Sequence, residues 1–354
     1  MSGDSGSTAG IHVAMVAPPW FSIPPEAYGG VEQVVADLTS TLVARGHRVT
    51  LVGAGDDGTS ATFLRTFKDP QSDRLGEPLP ELIHAAAAAR LLADLDVDIV
   101  HDHTLAGPLT ATGRRGPTVA TMHGPMDGEL ADYYRVLGDE VSLVAISDSQ
   151  RAQAPDLNWV ATVYNGIDVA SYPFQEVKED WVLFVGRFSL EKGPHHAIDA
   201  ARAAGLRIVL AGKVNESAEQ EYFEQEIRSR LGKDATYIGE IDGTLKRELY
   251  AKAACLLFPV AWPEPFGLVM VEAMACGTPV VALECGSVPE VIVDGTTGVI
   301  CGIEEELPAA IAKARRLKPE DCRDHVARHF DITNMGDGYE KVYRQLMINQ
   351  PTAS

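Results

Sequence analysis

The sequence lacks a membrane-spanning run: no apolar stretch in its 354 residues approaches the ~18–20 that a helix needs to cross a bilayer. The opening segment, residues 1–10, is a polar flexible tail without the cationic and apolar parts of a secretory leader. Cysteine is scarce, five in all, and every one lies beyond residue 250 with no C-x-x-C spacing. That pattern opposes a disulfide frame or a zinc site and fits small core residues in a reducing compartment, so a cytoplasmic location is expected. Positive charge is also short: 30 Lys and Arg against 50 Asp and Glu leave a net charge of −20, spread over both halves. Such a balance opposes nonspecific nucleic-acid binding and docking on anionic lipid through a basic patch. No nucleic-acid partner and no strong membrane-binding signal are expected. Internal repeats at solenoid period are absent as well.

What is present is apolar residue enough for real cores, 45% of the chain, and length for two domains of about 170 residues. Ile11–Ala17 reads as a buried strand, followed by a long loop to Gly30. Val31, Val34, Val35, Leu38, Leu42 and Val43 then recur at helical spacing, and Arg48–Gly53 forms a second strand. This opening begins a doubly wound sheet. Short apolar runs at 97–100, 118–122, 142–146 and 160–163 continue it, and the alanine-rich stretch 81–95 reads as a helix used for packing. A second αβ series begins at Trp181, with strands expected near 207–211, 235–238, 255–258, 279–283 and 298–301. The hinge belongs between Asp168 and Asp180, where Pro173 and several charges intervene. The expected division is tail 1–10, Rossmann-like domain 11–172, Rossmann-like domain 173–335 and final segment 336–354.

Two stretches carry most of the chemistry. In Trp262-Pro-Glu-Pro-Phe-Gly-Leu-Val-Met-Val-Glu272, the prolines impose an extended approach and the apolar run after Gly267 reads as helix, ending near Ala275–Gly277. Glu264 thus precedes a helix start and Glu272 lies about two turns inside. A helix start offers free N–H groups and positive dipole, so sugar hydroxyls can be bound on either side of an anion. A buried helix with a capping glutamate is the plainer alternative. The second stretch is the buried strand Trp181–Gly186 followed by Arg187 and Lys192, two cations at a strand end where open α/β sheets bind ligands. They suit a diphosphate, or they are paired with carboxylates such as the adjacent Glu191.

Weaker signals surround these. Gly29-Gly30, between the first strand and the first helix, either lets backbone approach a phosphate or makes a tight turn. Glu26 and Tyr28 of that loop are candidates to touch an acceptor. His123 ends a strand beside Gly124, which favours a positioning role, through side chain or carbonyl, over general base catalysis. His101-Asp102-His103 lacks a convincingly spaced third ligand, so no metal is expected. Gly53-Ala-Gly-Asp-Asp-Gly58 matches a dinucleotide string, but it follows the second strand and its aspartates would repel pyrophosphate. It is rejected as a cofactor site.

In order along the chain, these motifs resemble the retaining glycosyltransferases of family 4. The resemblance runs through Pro24-Pro-Glu-Ala-Tyr-Gly-Gly-Val-Glu32, His101-Asp-His103, Thr121-Met-His-Gly124, Ala145-Ile-Ser147-Asp-Ser149 and Tyr164-Asn165-Gly-Ile-Asp168. It continues through Gly186-Arg-Phe-Ser-Leu-Glu-Lys-Gly193, Tyr237-Ile-Gly-Glu240, the Glu264 to Glu272 element and Gly277-Thr-Pro-Val-Val-Ala282. The spacing of Glu264 and Glu272 before the Gly277–Ala282 strand is the specific part; the glycine loop is less so. The resemblance implies a GT-B fold, with two Rossmann-like doubly wound domains facing a central cleft: an acceptor domain, a donor domain and a last helix crossing back to the first.

It further implies a metal-independent hexosyltransferase that needs no cofactor. Such an enzyme would use a nucleotide-sugar donor, UDP-glucose slightly favoured over GDP-mannose, and release UDP or GDP. Its acceptor would be a hydroxyl on a small molecule, glycan or lipid carrier. Carried over position by position, Arg187 and Lys192 clamp the diphosphate, Glu272 binds ribose, and Gly29-Gly30 meets diphosphate or acceptor. Glu264 with the amides of Phe266, Gly267 and Leu268 binds hexose and β-phosphate, and Ile238, Gly239 and Glu240 line the base pocket. His123 lies by the donor hexose; Ser147 and Asn165 are lesser candidates near the cleft. Some members reach lipid acceptors through a basic amphipathic helix, whereas the first helix here carries Glu32 and Asp37 with Arg45 only at its end. A soluble or carrier-bound acceptor is therefore favoured. Ala261-Trp262 replaces smaller polar residues common in the family, so specificity does not transfer. A nucleotide-sugar epimerase, a phosphorylase and a non-catalytic nucleotide-sugar binding protein remain alternatives.

Overall fold

The computed structural model describes residues 10–26, 29–56 and 58–348. Most of the expected tail 1–10, Tyr28 of the glycine loop, Asp57 and the end of the final segment lie outside the described residues.

The chain builds two parallel sheets in sequence. The first contains β1 (His12–Val16), β2 (Arg48–Ala54), β3 (Thr62–Phe67), β4 (Ile99–Asp102), β5 (Thr118–Thr121), β6 (Val141–Ala145) and β7 (Trp159–Thr162). Its spatial order is β3-β2-β1-β4-β5-β6-β7. The second holds β8 (Trp181–Val185), β9 (Arg207–Ala211), β10 (Ala235–Tyr237), β11 (Leu256–Phe258), β12 (Val280–Leu283) and β13 (Gly298–Cys301), in the order β10-β9-β8-β11-β12-β13. In each sheet the strand order reverses beside the first strand of its series, which is where open α/β sheets place a ligand crevice. Both faces are covered by helices, so β1, β4, β5, β11 and β12 are buried along their whole length.

Strand β3 was not expected from the sequence. Its six residues are exposed or half-buried, because it is an edge strand with only one neighbour, and it gives no continuous apolar run. The expected 81–95 helix begins earlier, at Pro78, and does more than pack: Glu81 Oε1 accepts from the Leu105 amide at 2.7 Å.

The chain passes between the sheets twice, and the two passages are stitched together. Ile167 N donates to Phe330 O at 3.0 Å and Ile332 N donates to Ile167 O at 2.9 Å. The last helix starts at Ile332, four residues before the expected 336, because Asp331 caps it: its Oδ1 accepts from the Thr333 amide at 3.0 Å. This helix, Ile332–Ile348, buries Met335, Tyr339, Val342 and Tyr343 in the core of the first sheet with Val13, Met15, Leu38 and Leu42. The positions follow helical spacing, and burying each such side chain contributes roughly 1.5–3 kcal/mol. Gly336 permits the close approach, since a Cβ there would stand 2.8 Å from Thr41 Cγ2 on the first helix, Gly30–Ala44. Arg45 completes the joint with ion pairs to Asp337 at 2.7 Å and Glu340 at 3.0 Å.

Candidate active site

A cleft of about 370 Å³ opens where the two domains meet. Its first wall is the loop after β1 and the start of the Gly30–Ala44 helix, with Glu26, Gly29, Gly30, Gln33 and Asp37. The linker adds Gly166, Asp168 and Tyr172. Its second wall comes from the C-terminal ends of β8 to β10 and two following helices: Arg187, Gly212, Lys213, Glu240, Lys246, Arg247, Leu268 and Glu272.

The backbone at these positions requires glycine twice. Gly212 has φ +155°, and a Cβ there would stand 1.8 Å from Gly186 O, so the turns after β8 and β9 close on each other. Gly29 has φ +145° and no room beside Pro25, while its carbonyl accepts from Gln33 N at 3.0 Å as the first helical bond. Gly30 faces Leu268 across the cleft, its Cβ position 3.6 Å from Leu268 Cδ1.

The helix Leu268–Ala275 carries Glu272 and ends as its sequence dictates. Gly277, at φ +79°, donates to Met274 O at 2.9 Å and Thr278 donates to Ala273 O at 3.0 Å, a left-handed C-terminal cap. Glu272 is buried, and its Oε1 accepts from Lys246 Nζ at 2.7 Å and Tyr172 OH at 3.1 Å. Its Oε2 accepts from Tyr250 OH at 3.1 Å. Arg247 lies 4.9 Å over the Tyr172 ring. The second domain and the linker thus orient one carboxylate.

Arg187 reaches Glu191 only at 3.9 Å and is one-third exposed in the cleft. Lys192 is paired, but with Glu264 rather than Glu191: the two are in direct hydrogen-bonded contact. Trp262 lies beneath this pair, its ring 5.0 Å from Lys192 Nζ, and its buried indole N–H has no hydrogen-bond partner among the described residues. The Glu264 backbone is held by the turn after β12, where Ser287 N donates to Glu264 O at 3.0 Å and Ser287 Oγ donates to Phe266 O at 2.8 Å. Gly286 allows this contact, since a Cβ there would meet Glu264 N at 2.4 Å.

Of the residues singled out by sequence, the cleft lining brings together Glu26, Gly29, Gly30, Arg187, Glu240, Leu268 and Glu272. Lys192, Glu264, Phe266, Gly267, Gly239 and His123 stand outside that lining. Phe266 is a core side chain, and the Gly239 carbonyl accepts from Gly212 N at 2.9 Å. Ser147 is buried and caps the helix Asp148–Ala152 by accepting from Gln150 N at 3.0 Å; Asn165 is buried beside the linker. The described residues of the Gly53–Gly58 string also lie outside the cleft lining, and the edge strand β3 rather than a helix follows. His101, Asp102 and His103 are spent on interior bonds, Asp102 pairing with Arg114 at 2.7 Å. Among the described residues no group of three or more such side chains is placed to hold a metal ion.

Sequence reasoning missed Lys213, Lys246, Arg247 and Asp37. Lys213 carries the same signal as Arg187, a cation just past a buried strand. Lys246 and Arg247 carry none, because on an exposed helix they read as solvated charge. Burial pushes the Asp37 carboxyl up to about 6, with the Gln33 amide opposing and Asp168 adding to the rise. Burial likewise pushes Glu32, in the first turn of the same helix, up to about 7. Asp37 and Glu26 of the first wall line the same cleft as the four cations of the second, whereas Glu32 is buried and lies outside the lining.

Comparison with known proteins agrees with this geometry. The model for "Glycosyltransferase Family 4" matches residues 28–171, and that for "Glycosyl transferases group 1" matches residues 172–326. The chain is 30% identical to an alpha-maltose-1-phosphate synthase of Mycolicibacterium smegmatis, over 78% of this chain and 81% of that protein. It is 26% identical to a glycogen synthase of Mycobacterium tuberculosis, over 90% of this chain and 92% of the relative. Among solved structures it resembles AviGT4, a glycosyltransferase involved in avilamycin A biosynthesis, with TM-score 0.74, 26% identity and coverage of 96% and 99% of the two chains.

Proposed function

The chain belongs to glycosyltransferase family 4, and from that premise we propose that it is a retaining hexosyltransferase acting from a nucleoside-diphosphate sugar onto a hydroxyl acceptor. The observation that carries the proposal is the second cleft wall, where Arg187, Lys213, Lys246 and Arg247 surround a space that the glycine turn of Gly29-Gly30 faces. A diphosphate matches that charge, and the Gly30–Ala44 helix start adds unpaired N–H groups to it.

In this proposal Glu272 binds the ribose hydroxyls with its remaining lone pairs, and Glu240 stands beside the base. Lys192 and Glu264 separate on binding, Lys192 turning to phosphate and Glu264 to hexose hydroxyls. No carboxylate is set as a nucleophile, so the acceptor oxygen forms its bond to the anomeric carbon on the face the nucleoside diphosphate leaves. The acceptor proton passes to the departing phosphate oxygen. Orientation can supply about 7–11 kcal/mol of the barrier reduction, and each charge-stabilising donor about 2.7–4 more. The cations take over the role of a divalent ion, and no cofactor is used. UDP-glucose is the first donor to try and GDP-mannose the second. The relatives' names, a glycogen synthase and an alpha-maltose-1-phosphate synthase, support a sugar-bearing acceptor. Free thiols at all five cysteines suit a cytoplasmic location. No helix among the described residues is long and apolar enough to cross a membrane.

The test is thermal stability and donor hydrolysis across UDP-, GDP-, ADP- and TDP-sugars, with an Arg187→Ala/Lys192→Ala control. One nucleotide should stabilise the protein, by about 2.7 kcal/mol at a hundredfold excess over Kd, and be hydrolysed only with the cations intact. Binding of none of them would sink the proposal. Conversion of the sugar without an acceptor would replace it with an epimerase.

A further inference from the structure

Three imidazoles lie in a row beneath the ends of β4 and β5. His101 and His103 are fully or nearly fully buried and meet at a tilt, 4.1 Å between ring centroids, and His103 stacks on the half-buried His123 at 5.2 Å. We propose that His103 is a positioning residue that sets the tautomer of His123, accepting a hydrogen bond from its Nε2–H and leaving its Nδ1 as a bare acceptor for a substrate hydroxyl. This rests on the proposed function and on the placement of His123 by the donor hexose that the family resemblance implies.

The hydrogen bonds define the tautomers from one end. His103 Nε2 lies 3.1 Å from Met15 Sδ, and a thioether has no hydrogen to give. The proton must therefore be on His103 Nε2, because the other arrangement sets two lone-pair atoms against each other inside the core. Burial holds both His103 and His123 well below the ordinary imidazole range, the latter down to about 4, so each ring carries one proton at neutral pH. With its proton on Nε2, His103 can only accept at Nδ1, which stands 2.9 Å from His123 Nε2. His123 must then donate from Nε2, and its Nδ1 is left bare. That nitrogen has no hydrogen-bond partner among the described residues.

The ring of His103 cannot turn to change this order. Its backbone is fixed by the bond from His103 N to Val16 O at 2.9 Å. Its outer face is covered by His101, itself held by Tyr343 OH and Thr121 Oγ1, each at 2.7 Å. Tyr343 belongs to the last helix, so the element that joins the domains also braces the histidine row.

The experiment is a long-range ¹H–¹⁵N correlation spectrum of histidine-labelled full-length protein. The expected result is a proton on Nε2 in both His103 and His123; a proton on Nδ1 of either ring overturns the proposal. His103→Phe keeps the stacked ring and removes the nitrogens. It should leave His123 in a mixture of tautomers and raise the KM for UDP-glucose about fivefold, with kcat less affected. Should that variant not fold, Met15→Leu removes the sulfur and should likewise mix the tautomers. A His123 spectrum unchanged in whichever of these variants folds overturns the proposal. His123→Ala separates the two levels: unchanged KM for UDP-glucose beside the expected tautomers overturns the substrate contact, and with it any positioning role of His103. Absence of all nucleotide-sugar binding in the wild type would instead remove the proposed function itself.

Discussion

Lys246 Nζ lies 2.7 Å from Oε1 of Glu272, joining two helices of the second domain at the cleft surface. Lys246 is the more exposed of the two, with 28% of its side chain accessible against 8% for Glu272. It shields a carboxylate that otherwise depends on two tyrosine hydroxyls. Lys246→Met should leave Glu272 misoriented and under-neutralised. Losing a hydrogen bond to a charged group costs about 1.5–3 kcal/mol, which corresponds to a KM for the donor raised roughly 10–100-fold. If Glu272 holds the nucleoside end, which is bound equally before and during transfer, kcat should stay within about threefold. A variant with lowered kcat and unchanged KM would move Lys246 from donor binding to the reacting centre.

Arg187 and Lys192 should behave in the opposite way. If they offset charge that develops on the leaving diphosphate, Arg187→Ala and Lys192→Ala should each lower kcat on the order of 10²-fold. Lys192→Ala has a second consequence, since it leaves Glu264 without its cation in a site only 15% exposed. A reduced thermal midpoint should therefore accompany that variant and not Arg187→Ala. Unchanged turnover in either variant would remove the assigned role.

The alternation of buried strands and helices was legible because both faces of each sheet are covered, so β1, β4, β6, β8 and β12 appear as short apolar runs. Edge strand β3 was not, since Thr62–Phe67 buries no residue fully. The strand-end rule identifies Arg187, and Lys213, two residues past the end of β9 at Ala211, obeys the same rule. The Lys192–Glu264 pair was hidden for another reason. Glu191 is the nearer carboxylate in sequence, but the turn at Gly193, with φ +65° against Pro259 O, directs Lys192 toward the Trp262–Pro265 loop. Lys246, Asp37 and the histidine row depend on contacts between distant segments, and helical periodicity carries no information about them.

Stability should vary with pH through Glu32. Its carboxyl is raised from the ordinary 4.5 to about 7 by burial, so the folded chain holds that proton more tightly than the unfolded chain. Protonated Glu32 costs nothing below pH 4.5; as pH rises through the folded value the unfolded state is increasingly favoured. The loss is on the order of 3 kcal/mol once pH exceeds about 7. Glu32→Gln should remove this slope, and unfolding midpoints in urea at pH 5 and pH 8 would show it. The variant should be more stable than the wild type at pH 8 and little different at pH 5. Equal pH dependence in both proteins would mean that Glu32 is solvated in the folded state.

Another contact between the domains lies outside the cleft lining. Glu290, on the short helix Val288–Val291, accepts from the amides of Asp148 and Ser149 at 2.7 Å each, and from Tyr164 OH at 3.1 Å. A carboxylate of the second domain thus occupies the N-terminal turn of the Asp148–Ala152 helix in the first. Glu290→Ala should free both amides to exchange with solvent, while the buried strands β5 and β6 keep their protection. The two bonds lie near the surface, so water replaces them and global stability should fall by only about 1 kcal/mol. The larger effect should be on domain closure: with this contact gone, Gly30 and Leu268 no longer hold their spacing across the cleft, and donor KM should rise. Hydrogen exchange at Asp148 and Ser149, with and without nucleotide, would separate the outcomes. Faster exchange that nucleotide restores would make Glu290 part of closure. Exchange already fast in the wild type would show that the domains are not joined there in solution, and the spacing of the cleft walls would then depend on the remaining contacts, among them the Ile167–Ile332 stitch and the last helix.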